Sequence, residues 1–199
     1  MVDSFLYERQ GYAAGFTRIA GIDEVGRGPL AGPVLACAMI LPQDCLIEGI
    51  KDSKKLSPQK REVLAAQIKA QAVDWAVGMA DAAEVDTVNI LNATKLAMQR
   101  AVAGLSTLPG CLLIDGKDTL SSPIPQQAII GGDGKSITIA AASIVAKVMR
   151  DALMLEYHVL YPGYGFDKHK GYGTKAHREA IRQNGLCPIH RRSFMKKWV

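Results

Sequence analysis

The stretch Gly21-Ile-Asp-Glu-Val-Gly-Arg-Gly-Pro-Leu-Ala-Gly-Pro33 decides the fold. It joins two apolar runs, Thr17 to Asp23 and Pro33 to Leu41. Apolar runs of this length bounded by glycine and proline read as β-strands. The Gly/Pro-rich link from Gly26 to Gly32 is short, so the two strands are predicted to form an antiparallel hairpin. Two acids, Asp23 and Glu24, stand where the first strand is expected to end. Neighbouring strand residues point to opposite faces, so this pair shares a site only if the strand ends or bulges there. The glycines that follow permit either.

Outward from the hairpin, Trp75 to Ala80, Cys111 to Asp115 and Gln127 to Ile130 also read as strands. Helical patterns lie between and after them. Ser57 to Gln71 opens with a capping serine and Pro58. Val85 to Leu105 repeats apolar residues at helical spacing, and Ser136 to Tyr161 is strongly apolar and stops before Pro162. Thr174 to Asn184 has a threonine cap and Gly185 as terminator. Strands first, then alternating helices and strands, predict an α/β layer with a mixed sheet. A main domain over residues 1–162 and a basic helical extension over 163–199, packed on its edge, are expected.

The chain has 199 residues, 48% of them hydrophobic, enough for one substantial core. The first twenty residues hold Asp3 and Glu8 and no apolar block, so no signal peptide is expected. The longest apolar stretch contains two prolines and is too short to span a bilayer. Cys37, Cys45, Cys111 and Cys187 have neither metal-ligand nor redox spacing, which favours a reducing, cytoplasmic setting. The net charge of +5 is uneven. From Gly163 onward nine Lys or Arg face two acids, a local +7 that leaves the rest at −2. Such a tail suits a polyanionic partner, although a solvated cationic helix face has the same appearance.

Two glycine loops imitate phosphate-binding motifs. Gly26-Arg-Gly28-Pro-Leu-Ala31 fits a dinucleotide fingerprint, but that loop must open a helix, and here a strand follows. Gly131-Gly-Asp-Gly-Lys-Ser136 ends like a nucleoside-triphosphate loop, but Ile129 stands where the motif requires its first glycine. A turn capping the next helix is the better reading.

The acids carry more. Asp115 ends Cys111-Leu-Leu-Ile-Asp and Asp133 ends Ala128-Ile-Ile-Gly-Gly-Asp, each beside glycine. Sites in open α/β sheets form outside strand ends, so Asp23, Glu24, Asp115 and Asp133 are candidates for one rim. Carboxylates so close repel, and hard divalent cations relieve that repulsion. A pair of such ions can activate water and stabilise a leaving oxygen in phosphodiester cleavage. A single strand-end aspartate is more often a turn former, and the signal lies in the conjunction.

These residues, with Asp52-Ser-Lys-Lys-Leu-Ser57, Ala141-Ala-Ser-Ile-Val-Ala-Lys147 and His169-Lys-Gly-Tyr-Gly-Thr174, resemble bacterial ribonuclease HII, the type 2 ribonuclease H, in order from about Gly21 to Phe194. The resemblance implies a ribonuclease H-like mixed five-stranded sheet flanked by helices, with a C-terminal helical extension. It implies an Mg²⁺- or Mn²⁺-dependent endonuclease, and a monomer is expected. The implied substrates are RNA–DNA hybrids and duplex DNA containing ribonucleotides, cut to leave 3′-hydroxyl and 5′-phosphate ends. Its metal-binding acids fall on Asp23, Glu24, Asp115 and Asp133. Its loop that reads ribose 2′-hydroxyls falls on Gly26, Arg27 and Gly28, and its junction-sensing tyrosine on Tyr172. Lys54, Lys55 and Lys147 are candidate phosphate contacts, and Arg191 and Arg192 candidate sources of nonspecific backbone attraction. His169, His177 and His190 lack zinc spacing and are read as polar surface or loop residues.

Overall fold

A computed structural model describes residues 5–45, 47–50 and 57–195. Five strands form one sheet: β1 (Ile19–Val25), β2 (Val34–Ile40), β3 (Asp74–Ala80), β4 (Cys111–Asp115) and β5 (Gln126–Ile129). The order is β3-β2-β1-β4-β5. β1 and β2 form the expected antiparallel hairpin, β2 pairs antiparallel with β3, and β4 runs parallel to both β1 and β5. The helices are α1 (Leu6–Ala13), α2 (Pro58–Gln71), α3 (Ala82–Ala103), α4 (Ile137–Leu160), α5 (Phe166–His169), α6 (Lys175–Asn184) and α7 (Arg192–Met195). Among the described residues no helix is long and apolar enough to cross a membrane.

Local chemistry explains most boundaries. Ser57, Ser136 and Thr174 accept a hydrogen bond from the third backbone N–H of α2, α4 and α6 respectively. Asp81 and Glu84 cap α3 reciprocally. Inside α3, Asn89 adopts φ 67°, and its side-chain oxygen accepts from the N–H groups of Leu91 and Asn92, restarting the helix after a break. The loop ending Gly132-Asp-Gly134 is a single 3₁₀ turn that runs into the Ser136 cap, as its bland reading requires.

β2 is buried along its whole length, and its period-2 alternation serves two cores. Leu35, Cys37 and Met39 pack with α2 and α4, while Val34, Ala36, Ala38 and Ile40 pack with α3. β1 divides the same way, with Ala20 and Ile22 toward α3. Gly21 faces α4, where a Cβ would lie 2.4 Å from the Thr138 carbonyl carbon and 2.5 Å from the Ile139 nitrogen. The helix backbone thus rests directly on the strand.

α1 was not expected from sequence. Its mean hydropathy is low, and long-range contacts hold it. The buried Glu8 carboxylate accepts from the Ser136 hydroxyl at 2.5 Å and the Thr138 N–H at 3.0 Å, at the start of α4. Tyr7, Tyr12 and Phe16 pack around Ile19 and Leu113.

The close approach at Gly21 yields a test. Gly21→Ala forces apart two backbones that have no side chain to yield, and is expected to cost about 1–3 kcal/mol of unfolding free energy in urea titrations.

Candidate active site

β1 and β4 pair from Ile19 opposite Cys111 to Ile22 opposite Ile114 and no further. β1 nevertheless continues against β2 through Val25. This corrects the expectation that the first strand ends at Asp23. Asp23 and Glu24 lie within the strand and point to opposite faces, but the β1–β4 ladder has ended before them. Both carboxylates reach that open edge and meet Asp115, the last residue of β4. Asp23, Glu24 and Asp115 each offer an oxygen within 4.8 Å of the others, the one such group among the described residues. Asp115 Oδ1 accepts from the Gly132 N–H at 2.6 Å. Asp133, the fourth expected acid, is the next residue of that 3₁₀ turn and lies outside the three-carboxylate group.

The site is electrostatically strained. Asp23 is buried, and its carboxyl is pushed up to about 8. Burial is the main cause, and the Glu24 and Asp115 charges add to it. The Ser143 hydroxyl and the Glu24 N–H, 2.7 Å from Oδ1, oppose the shift. Glu24 is also raised by burial, against the pull of Arg27, whose guanidinium lies 3.3 Å from Oε1. Hard carboxylate oxygens at this spacing fit a hard divalent cation. A cavity of about 490 Å³ opens beside Glu24 and Asp115, with Leu91, Met98 and Leu120 as apolar wall and Lys95 and Lys117 among its lining.

Residues 26–33 run along one side of this rim, and buried arginines hold them. Arg191 donates to the carbonyls of Gly26, Arg27, Pro29 and Gly32 at 2.6–2.9 Å. Arg150 donates to those of Ala31 and Pro33, and also to that of Lys170. Arg191 therefore departs from its sequence reading. It is fully buried and has no face for phosphates, because its donors are turned onto the loop. Arg150 was missed, although a charged residue at i+4 from Ala146 and i−4 from Met154, both buried, is a visible signal inside an apolar helix. Gly26 needs its φ of 90°, and a Cβ there would strike the Arg150 side chain at 2.2 Å.

Tyr172 is partly exposed beside the same loop. A Cβ on Gly28 would lie 3.7 Å from its Cε1, and the Leu30 N–H donates to the Gly171 carbonyl. Arg27 and Gly28 are exposed. Arg192 is exposed, with its N–H on Asp86. Lys147 pairs through Nζ with Asp151 at 2.7 Å. Lys54 and Lys55 lie outside the described residues. The histidine reading is corrected too. His177 and His190 are buried, enclosed with Tyr164 and Phe166, because each ring nitrogen has a partner.

With this geometry in view, the chain can be set beside known proteins. The family model for Ribonuclease HII matches residues 20–197. A ribonuclease HII of Desulfitobacterium hafniense is 58% identical over 187 residues, 94% of this chain and 72% of the relative. One from Nitrosococcus oceani is 57% identical over 177 residues, 89% of this chain and 88% of the relative. Among solved structures, the ribonuclease H2 of Pyrococcus horikoshii OT3 superposes with a TM-score of 0.74 at 29% identity, covering 88% of this chain and 93% of that one.

The raised Asp23 carboxyl has a measurable consequence. In the cation-free protein its stabilising contribution is complete below the ordinary carboxylate range and is lost as pH rises through about 8. A cation that binds the ionised form must displace that proton at lower pH. The rise in Tm on adding Mg²⁺ or Mn²⁺ is therefore expected to be larger at about pH 9 than at about pH 6. Asp23→Asn should flatten the difference, and equal increments at both pH values in the unmodified protein would contradict the assignment.

Proposed function

The chain belongs to the ribonuclease HII family of ribonuclease H type endonucleases, which act on RNA–DNA hybrids, and from that premise we propose that it also nicks duplex DNA on the 5′ side of single embedded ribonucleotides, leaving 3′-hydroxyl and 5′-phosphate ends. The observation that carries the reading is the convergence of Asp23, Glu24 and Asp115 at a rim shared with the 26–33 loop and the Tyr172 ring. Acids to cut and a surface to discriminate sugars stand side by side.

Asp23, Glu24 and Asp115, with Asp133 from the adjoining turn, are assigned to hold Mg²⁺ or Mn²⁺. When bound, such cations supply an activated water and stabilise the departing 3′-oxygen. The protein's own part is placement. Ser143 and the Glu24 amide orient the Asp23 carboxylate, and the Gly132 amide orients Asp115. Only the 2′-hydroxyl distinguishes a ribonucleotide from its neighbours. The Gly26–Arg27–Gly28 segment is assigned to meet it, since the exposed backbone at Gly28, with no Cβ, lets a sugar approach closely. Tyr172 presents a flat apolar face suited to the deoxyribose on the 3′ side, which lacks that hydroxyl.

Phosphate attraction is assigned to Arg192, Lys147, Lys54 and the cationic surface of residues 163–199, taken as a basic extension of a catalytic domain over 1–162. Its contribution should weaken as salt rises. The free cysteines, Cys37, Cys45, Cys111 and Cys187, suit a reducing compartment, and a cytoplasmic monomer is the working assignment.

Two assays test the proposal. Asp23→Asn and Asp115→Asn are each expected to lower Mg²⁺-supported nicking of a single-ribonucleotide duplex by about a hundredfold or more. Unimpaired cleavage in either variant would remove the cation-holding role, and binding without metal-dependent nicking would reduce the chain to a hybrid-binding module. Tyr172→Ala should lose the preference for a ribonucleotide followed by DNA, read from cleavage-site maps, and an unchanged map would discard the tyrosine's role.

A further inference from the structure

Behind Tyr172 lies a chain of hydrogen bonds with one consistent direction. His177 Nδ1 lies 3.0 Å from the Tyr172 carbonyl oxygen, and its Nε2 lies 3.1 Å from His190 Nε2. His190 Nδ1 in turn accepts the Cys187 N–H at 3.0 Å, with the Cys187 sulfur at 3.1 Å. A neutral imidazole has one donor and one acceptor nitrogen. The Cys187 N–H can only donate, and at 3.0 Å it is nearer to His190 Nδ1 than the Cys187 carbonyl oxygen at 3.3 Å, so Nδ1 accepts and the proton sits on Nε2. That proton points at His177 Nε2, which is then an acceptor, and His177 carries its own proton on Nδ1. There it meets the Tyr172 carbonyl. The opposite arrangement would let His190 Nδ1 donate to the Cys187 carbonyl at 3.3 Å, but would set a bare His177 nitrogen against the Tyr172 carbonyl oxygen at 3.0 Å and an N–H against the Cys187 N–H. Both rings are buried and held below their ordinary pKa, chiefly by burial, His177 at about 4, so both are neutral.

The far end of this chain is attached to the loop. His190 forms an isolated antiparallel bridge with Ala31, the Gly32 N–H donates to the Ile189 carbonyl, and the Arg191 N–H donates to the Leu30 carbonyl. The histidine pair therefore links residues 30–32 to the backbone of Tyr172. The surroundings reinforce it. His169 stacks on His177 at 4.4 Å between centroids, and Phe166 meets His177 edge-on.

We propose that His177, through its bond to the Tyr172 carbonyl, and His190 behind it are positioning residues that set Tyr172 against the Gly26–Gly28 segment, and so fix the preference for a ribonucleotide followed by DNA. The proposal rests on the assignment of Tyr172 made above. Neither histidine touches the reacting atoms. They act through the ring they place.

The experiment compares kcat/KM for a single-ribonucleotide duplex with that for a uniform RNA–DNA hybrid. His177→Phe keeps a ring between Phe166 and His169 but removes both nitrogens. It is expected to lower the ratio by about tenfold while kcat on the hybrid changes little. His177→Asn returns an N–H donor near the position of Nδ1 and should restore most of the ratio. An unchanged ratio in His177→Phe, or a parallel loss on both substrates, overturns the proposal. Tyr172→Ala in the same assay separates the two levels. If it loses the preference and His177→Phe does not, only the histidine inference fails. If Tyr172→Ala keeps the preference, the tyrosine assignment fails and takes the inference with it. ¹⁵N spectra of the unmodified protein add a check that needs no variant. His177 protonated at Nδ1 and His190 at Nε2 support the proposal, and the reverse tautomers or a charged ring at neutral pH overturn it.

Discussion

A loop that leaves a sheet takes its carbonyl groups away from the ladder that would satisfy them, and residues 26–33 meet this constraint with arginine. The carbonyls of Gly26, Arg27, Pro29 and Gly32 accept from Arg191, and those of Ala31 and Pro33 from Arg150. A buried carbonyl without a partner costs about 1–3 kcal/mol, and a buried guanidinium without partners costs more. Each group removes the other's penalty. Arginine is the side chain that can do this, because its planar fork carries five donors and stays charged when buried. Burial, with Arg150 nearby, lowers Arg191 to about 9, still well above neutral pH. Lysine, with a compact ammonium, has no fork to spread over four carbonyls.

The acids at the rim obey the opposite logic. Asp23 is nearly as enclosed as the arginines, yet among the described residues its partners are one hydroxyl and one amide, and two further carboxylates crowd it. The cations of the core each meet several carbonyls, whereas the three carboxylates of the rim crowd one another, with Arg27 beside Glu24. That asymmetry separates charges the fold satisfies from charges it sets against each other. It also accounts for the glycines. Around the acids the chain must turn sharply and leave space, and at Gly26 the Arg150 side chain already fills the place of a Cβ.

Much of this was legible in the sequence, for reasons that differ by residue. The hairpin, the caps at Ser57, Ser136 and Thr174, and the strand-end position of Asp115 are local, and local chemistry announces them. Asp23 and Glu24 were correctly brought together, but by the wrong device. The strand neither ends nor bulges at Asp23. Its pairing with β4 ends one residue earlier, at Ile22 opposite Ile114, a fact of sheet register that no window around Gly21 contains. α1 was invisible because a buried carboxylate more than a hundred residues away in sequence from its partners holds it. Arg191 was misread because an arginine in a basic tail looks like surface until the carbonyls it serves are known. His177 and His190 looked like loop residues because their partners are each other and the backbone.

α4 ties these parts together. Ser143, on the acid side, and Arg150, on the loop side, are seven residues apart in one helix. Seven residues are nearly two turns, so both side chains leave the same stripe about 10 Å apart along the axis. One end of the stripe orients Asp23, and the other grips Ala31, Pro33 and Lys170. The helix start is pinned by Glu8, and Gly21 lets its backbone lie directly on β1. The distance from the three carboxylates to the 26–33 loop is thus set by the rise of a single buried helix. A packed helix cannot stretch, so the acid cluster and the loop beside Tyr172 keep a fixed separation.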